Sequence, residues 1–350
     1  MCKHKNSLQM AKKILVTGGL GFIGSHTVVE LQQKGFDVVI IDNLSNSSLS
    51  VLDGIVKITG TKPDFEQLDL REKSAVDFFF KKHRDLSGII HFAASKAVGE
   101  SLEKPLLYYE NNITTLVYIL QQMKKHGLQN FIFSSSCTVY GEPDRLPIKE
   151  KDPIKPATSP YGNTKQVGEE IIRDASKACG LKTIALRYFN PIGAHPSANI
   201  GELPIGVPQN LIPFVTQTAI GIRTQLSVFG DDYPTEDGTA IRDYIHVVDL
   251  AKSHVVALER LMNNEHKKDY EIFNIGTGKG SSVMEIIKAF EKVTGQKLNY
   301  KIAPRRAGDT VAVWADTSFA EKELGWKAEL SMEDALRDAW KWEKANEFKV

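Results

Sequence analysis

A tyrosine and a lysine four residues apart hold the clearest chemistry in the chain. Tyr161-Gly162-Asn163-Thr164-Lys165 follows a proline-rich loop, residues 143–160, and begins a helix. Helical positions i and i+4 differ by ~40° around the axis and ~6 Å along it, so the two side chains share a face. A phenol with a pKa near ~10 is a poor base at neutral pH, and a neighbouring ammonium favours its phenolate. Ser136 can hydrogen-bond the same substrate hydroxyl or the phenol itself. A Tyr/Lys pair alone is common and is usually a half-buried tyrosine beside a solvated lysine. The elements that precede it decide between the two readings.

The first of those elements is a glycine turn. Residues 12–17 form a short apolar run that breaks into Gly18-Gly19-Leu20-Gly21-Phe22-Ile23-Gly24, after which apolar residues recur at helical spacing (Ile23, Val28, Leu31). Gly18 permits a tight turn, Gly21 lets a pyrophosphate approach the backbone, and Gly24 lets the helix lie close to the strand. The unpaired amides at the helix start suit an anion. The next strand, 38–41, ends at Asp42-Asn43, and Asp42 lies 18 residues beyond Gly24. An acidic residue about 20 residues past the glycines typically holds adenosine ribose hydroxyls and repels the extra phosphate of NADP, which favours NAD. An oxidised nicotinamide would add its positive charge to that of Lys165 beside the phenol.

Further strands are expected to end near Asp69, at 87–92, at 131–133 and at 183–188, with helices over 72–82, 101–126 and 161–179 and another over 245–258. Alternating helices and continuously apolar strands specify a doubly wound parallel α/β sheet of the Rossmann type, in which ligands bind beyond the strands' carboxyl ends. The glycine turn, Asp42, Ala93-Ala94-Ser95-Lys96 and Ser134-Ser135-Ser136 all fall at such ends and should converge on one crevice. Small residues at 93–95 let a ligand approach, and Lys96 could meet a phosphate.

At ~150 residues per domain, 350 residues suggest about two domains. The expected division is an NAD domain over 12–188 and a smaller mixed α/β substrate domain over 189–350, with segments returning to the first. A net charge of +1 gives no reason to expect nucleic acid or an anionic membrane. Residues 203–222 carry no charge, but their three prolines and amide side chains argue against a membrane helix. Cys2, Cys137 and Cys179 read as free thiols of a reducing, cytoplasmic compartment. No Cys/His cluster has zinc spacing, so no metal is expected. Residues 1–10 lack the apolar stretch of a secretion signal and read as a loose tail, with Met10 a possible alternative start.

Thr17-Gly18-x-x-Gly21-x-x-Gly24, Ser136 and Tyr161-x-x-x-Lys165 resemble the extended short-chain dehydrogenase/reductase superfamily. Residues 91–94, 96–101, 134–141, 187–191, 230–238 and 242–247 are similar to those of the UDP-glucose 4-epimerase family within it. The resemblance runs from about Lys12 to the C-terminus. It implies inversion at C4 of UDP-glucose and UDP-galactose through a transient 4-keto sugar, with Tyr161, Ser136 and Lys165 catalytic. It implies NAD contacts from Phe22, Ile23, Asp42, Asn43, Asp69, Leu70, Phe92, Lys96, Asn111 and Phe189, and UDP-sugar contacts from Asn190, Asn210, Leu211, Phe229, Arg242, Arg306 and Asp309. Arg242 and Arg306 offer planar forks for a diphosphate. Cys137 stands where the family often has a small residue such as alanine. Val313 falls at the family's sugar-pocket gate, where some members carry tyrosine; the smaller side chain implies some activity on UDP-N-acetylglucosamine. Family helices like 101–126 and 161–179 pair across a homodimer, through faces such as Tyr109, Ile113, Leu116 and Leu120, and Val167, Ile171 and Ala175. Rival readings are a 4,6-dehydratase or decarboxylase, disfavoured because residues 137–140 hold no carboxylate; an ordinary dehydrogenase that releases NADH; and a non-catalytic nucleotide-sensing module.

Overall fold

The computed structural model describes residues 12–306 and 309–346; the expected tail, with Cys2 and Met10, lies outside the described residues. The first half alternates strictly: β1 (Lys13–Thr17), α1 (Phe22–Gln33), β2 (Asp37–Asp42), α2 (Ser50–Thr59), β3 (Asp64–Gln67), α3 (Lys73–Lys82), β4 (Leu86–His91), α4 (Val98–Glu103), α5 (Pro105–Tyr109), α6 (Thr115–His126), β5 (Asn130–Ser134), α7 (Pro160–Cys179) and β6 (Lys182–Tyr188). The later chain adds β7 (Asn190–Ile192), α8 (Leu211–Ala219), β8 (Leu226–Phe229), β9 (Ile241–Arg242), β10 (Tyr244–His246), α9 (Val247–Met262), β11 (Tyr270–Ile275), β12 (Ser281–Ser282), α10 (Val283–Thr294), β13 (Tyr300–Ala303), β14 (Ala312–Val313) and α11 (Met332–Asn346).

Among the described residues, seven strands form one parallel sheet in the order β11-β6-β5-β4-β1-β2-β3. Successive residues of a strand point to opposite faces, and the central strands are apolar on both. Ile14, Val16, Val38, Ile40, Ile90, Ile132, Ile184 and Leu186 pack on one face with α1, α2 and α9. Leu15, Val39, Ile41, Ile89, Phe131 and Phe133 pack on the other with α3, α6 and α7. Each such side chain contributes ~1.5–3 kcal/mol on burial, and the result is three layers. Strand order reverses between β1 and β4, so the crevice opens beyond their carboxyl ends. The later chain returns to this sheet through β11 and through α9. It also builds small sheets (β7 with β10, β14 with β9 and β12, β13 with β8) around a separate core that includes Ile212, Val215, Ile286, Phe290 and Leu336.

Two expected helices differ. Residues 101–126 are not one helix: Lys104 leaves helical geometry (φ −127°, ψ 56°) before Pro105, and α5 joins α6 through a π-helical turn, Glu110–Thr114. Proline has no N–H to continue the ladder. Residues 245–258 begin as strand, because Tyr244–His246 pairs with Asn190–Ile192, and the helix starts at Val247. In α3, Phe79 and Phe80 are buried against the sheet and Phe78 is exposed. No described helix is long and apolar enough to cross a membrane.

Candidate active site

The glycine turn is fixed by close packing. Gly18 adopts φ +68°, and a Cβ there would lie 2.9 Å from the Ala93 nitrogen, so β1 and β4 end against each other. A Cβ on Gly24 would lie 2.3 Å from the Gly18 carbonyl oxygen; the helix is thus seated on the turn itself. A Cβ on Gly21 would meet only that oxygen, at 3.2 Å, so packing within the chain asks little of this glycine. A dinucleotide's approach to the backbone does require it. Asp42 reinforces the turn. Its carboxylate accepts hydrogen bonds from the Leu20 amide (3.1 Å), the Leu44 amide (3.0 Å) and the Ser47 hydroxyl (2.8 Å).

The other expected cofactor residues line the same edge. Asn43 donates to Asp69 (3.3 Å), whose carboxyl the Arg71 guanidinium holds down at about 2. The Leu70 side chain is packed in the core. The Phe92 ring lies 4.7 Å from that of His254. The Ala93 amide donates to the Thr17 hydroxyl (3.4 Å), and Asn111 donates to the Ser95 hydroxyl (2.9 Å), with the half-buried Ala94 between these two anchors.

On the neighbouring strand ends stand Ser136, Tyr161 and Lys165. Helix α7 starts where it does because Ser159 caps the Gly162 amide (3.1 Å) and Pro160 occupies the first turn, where a missing N–H costs nothing. This places Tyr161 and Lys165 over the end of β5. The buried Lys165 ammonium donates to the Ser134 carbonyl (2.7 Å), 5.0 Å from the Phe133 ring centre and 5.8 Å from that of Tyr161. The Ser136 hydroxyl accepts from the Thr138 amide (3.2 Å). Burial pushes the Tyr161 phenol up to about 12, against a hydrogen bond from Ser136 that lowers it. Burial also pulls Lys165 down to about 8, with Glu169 acting to raise it. The expected phenolate is therefore not favoured by the chain alone, because desolvation outweighs the Ser136 hydrogen bond.

The expected substrate residues fall on the small sheets facing this end. Asn190 is on β7 and donates its amide to the Asp243 carbonyl (2.9 Å). Val313 pairs in register with Arg242 and packs with Phe189, Val139 and Tyr140, with Cys137 half-buried against the same cluster. Arg242 forms an ion pair with Asp309 (2.5 Å), and the Arg306 guanidinium lies 4.4 Å from the Phe229 ring centre. The Asp309 amide to Arg306 carbonyl bond (3.3 Å) joins the two pairs. Asn210 precedes α8, whose first residue is the half-buried Leu211, without a side-chain hydrogen bond to the helix. No contact links Phe229 or Arg306 directly to Tyr161 among the described residues.

Several residues of the site escaped the sequence reading. Glu202 takes both Lys96 (3.3 Å) and Asn210 (2.5 Å), which ties the cofactor edge to α8; nothing in its neighbourhood of glycine and proline marks it. Glu169 and Arg187 form a buried ion pair (2.8 and 2.5 Å) directly beneath Ser135. Both carried a signal: Glu169 lies one turn past Lys165, and Arg187 interrupts an apolar strand. Asp243 is buried and accepts from Thr277, Gly278 and Ala315, which locks the loops behind Arg242.

Comparison with known proteins matches this arrangement. Residues 15–339 fit the family model described as GDP-mannose 4,6 dehydratase. A UDP-glucose 4-epimerase of Erwinia amylovora is 51% identical over 334 residues, 95% of this chain and 98% of that protein. The crystal structure of a UDP-glucose 4-epimerase from Stenotrophomonas maltophila with bound NAD and formylated UDP-arabinopyranose has a TM-score of 0.92 at 47% identity, covering 97% of this chain and 100% of that one. That from Bifidobacterium longum in complex with NAD+ and UDP gives 0.93 at 46%, with the same coverage. Similarity of this extent, end to end and in three dimensions, places the chain in the UDP-glucose 4-epimerase family.

Proposed function

We propose that this protein interconverts UDP-glucose and UDP-galactose by inverting C4 of the sugar. The observation that carries the reading is the placement of Tyr161, Lys165 and Ser136 at the end of β5, on the same edge of the sheet as the glycine turn and Asp42. The turn, whose Gly21 leaves the backbone approachable, fits NAD, and Asp42, which forms no ion pair among the described residues, disfavours the phosphate of NADP. When bound, NAD takes hydride from C4 and gives it back. Tyr161 removes the proton of the 4-hydroxyl, directly or through Ser136, and returns it after the 4-keto sugar has turned its other face. Lys165 holds positive charge one turn from the phenol. Arg242, Arg306 and Asn210 hold the diphosphate and Phe229 packs on the uracil, so that the sugar is the loosely held end. Phe22, Ile23, Asn43, Asp69, Leu70, Phe92, Lys96, Asn111 and Phe189 complete the cofactor's surroundings, and Asn190, Leu211 and Asp309 those of the UDP-sugar.

Residues 12–188 with α9 and β11 serve the cofactor, and the remaining elements serve the UDP-sugar. The protein works as a homodimer in the cytoplasm. The exposed Val98, Leu102 and Leu106 beside the half-buried Tyr109 and Ile113 support an apolar contact with a second copy, whereas Leu116 and Leu120 belong to the core. Equilibrium sedimentation giving a monomer at micromolar concentration rejects the dimer.

The function is tested by incubating purified protein with UDP-galactose and no added NAD. UDP-glucose should accumulate without net NADH. Product that forms only with stoichiometric fresh NAD, or NADH that builds up, replaces the epimerase with a dehydrogenase.

A further inference from the structure

Glu169 is 4% exposed, one turn beyond Lys165 on the same face of α7. Its carboxylate accepts from the Ser135 hydroxyl (2.5 Å), from Arg187 Nε and Nη2 (2.8 and 2.5 Å) and from the Tyr270 hydroxyl (3.1 Å). Ser135 lies between Ser134, whose carbonyl receives the Lys165 ammonium, and Ser136. One buried carboxylate thus grips the end of β5, the carboxyl end of β6 and the edge strand β11, and all from the helix that carries Tyr161 and Lys165. Arg187 extends the grip, with its guanidinium 4.8 Å from the centre of the Tyr140 ring. That ring packs in the cluster of Val313 and Phe189. Among the described residues no carboxylate forms an ion pair with Lys165, and it is Glu169 whose charge acts to hold its proton.

We propose that Glu169 is the positioning residue of the Tyr161–Lys165 pair: it fixes α7 against the strand end that bears Ser136 and places a negative charge one turn from the Lys165 ammonium. The proposal rests on the epimerase reading for its consequence in turnover, but its electrostatic half stands alone. The other groups around the pair are neutral near pH 7. His91 on β4 is held down at about 3 by burial, Cys137 is pushed up to about 12, and burial raises Tyr188 on β6 and Tyr108 on α5. Among the described residues Glu169 is the charge that bears on the lysine, with Arg187 paired behind it. Removing the carboxylate charge therefore lowers the pH at which Lys165 loses its proton.

The test compares the parent with Glu169→Gln, Glu169→Asp, Tyr270→Phe and the double variant Glu169→Gln/Arg187→Met. The double variant removes both charges of the buried pair and so avoids an unpaired arginine. Two readouts are taken. The first is the titration midpoint of Lys165 by NMR of 13C-lysine-labelled protein, assigned by its absence in Lys165→Met. The second is kcat and KM for UDP-galactose from about pH 6 to 10. In Glu169→Gln the midpoint and the alkaline limb of kcat should fall together by about half a pH unit or more, with kcat down roughly tenfold and KM within about threefold; in the double variant both should fall by less, because the opposing charge of Arg187 is removed as well. Glu169→Asp should restore the limb, and Tyr270→Phe should leave it in place. A folded Glu169→Gln with the parental midpoint, or a double variant whose midpoint rises, overturns the proposal, as does a loss of kcat with no movement of the limb, which marks a merely structural residue. A parent without epimerase turnover overturns the epimerase reading, and the NMR midpoint still decides the charge.

Discussion

Burial pulls Tyr161 and Lys165 the wrong way for acid–base work, the phenol up to about 12 and the ammonium down to about 8. An apolar pocket disfavours both charges, and a bound positive charge shifts the phenol toward phenolate. NAD in its oxidised form is such a charge, so proton removal is coupled to occupancy of the cofactor site. Tyr161→Phe keeps the ring and loses the proton acceptor; kcat should fall at least ~10²–10⁴-fold while UDP binding, measured by calorimetry, stays near parental. An unchanged kcat removes Tyr161 from the reaction. Val313 is a second residue-level test. Enlarging it to tyrosine fills space beside Phe189 and Tyr140, so Val313→Tyr should lower activity on UDP-N-acetylglucosamine at least about tenfold more than on UDP-glucose. Equal loss on both sugars denies it the gate. The tyrosine, lysine and serine were legible because helical spacing and a strand end are local. The pairing of Glu169 with Arg187 was not, because 18 residues of chain and a strand crossing separate the partners.

At the scale of elements, the glycine turn depends on contact more than on flexibility. Gly24→Ala forces a methyl to 2.3 Å from the Gly18 oxygen and 2.9 Å from the Gly19 Cα, both backbone atoms that cannot rotate away. The start of α1 must lift from the turn, which spoils the anion-binding amides. The purified variant should carry well under half the parental content of NAD, read by extraction and enzymatic assay, and added NAD should restore little activity. Parental NAD content would falsify this account of the turn. The strands of the first half were legible to within a residue or two because each buried strand is a continuous apolar run, whereas helix α2 (Ser50–Thr59) went unread. The break at Pro105 was also in the sequence, but the apolar spacing runs on through α5 and α6 and hides it. Strand Tyr244–His246 had no such signal: three residues extend only because Asn190–Ile192 lies alongside, a pairing that tertiary structure supplies. The same holds for Glu202, Asn210 and Lys96, which meet across loops with no periodicity to read.

For the whole molecule, the cofactor sheet carries a pH limit of its own. His26 on α1, His91 on β4 and His254 on α9 are buried, and desolvation holds them down at about 3, 3 and 4. The ring nitrogen Nδ1 of His26 donates to the Phe22 carbonyl (2.7 Å), a bond that favours the charged ring but is outweighed by desolvation. Above the unfolded value near ~6.5 both states are neutral and the stability is fully present. Below it the unfolded chain binds protons that the folded chain refuses, so stability falls with pH by up to ~1.4 kcal/mol per unit for each histidine. Asp243 and Glu150, raised by burial, act in the opposite sense as the solution becomes more acid. The unfolding free energy from urea titrations should therefore decline between about pH 7 and pH 5, steeply enough to reflect roughly three protons taken up on unfolding. His254→Gln removes one of them, since His254 Nε2 has no partner and only Nδ1 is engaged, with the Leu250 carbonyl (2.8 Å). Its slope should be shallower by about one proton whatever its absolute stability. A flat profile in the parent, or an unchanged slope in the variant, means that these rings charge within the fold. In that case the layer between α1, α9 and the sheet is wetter than its packing implies.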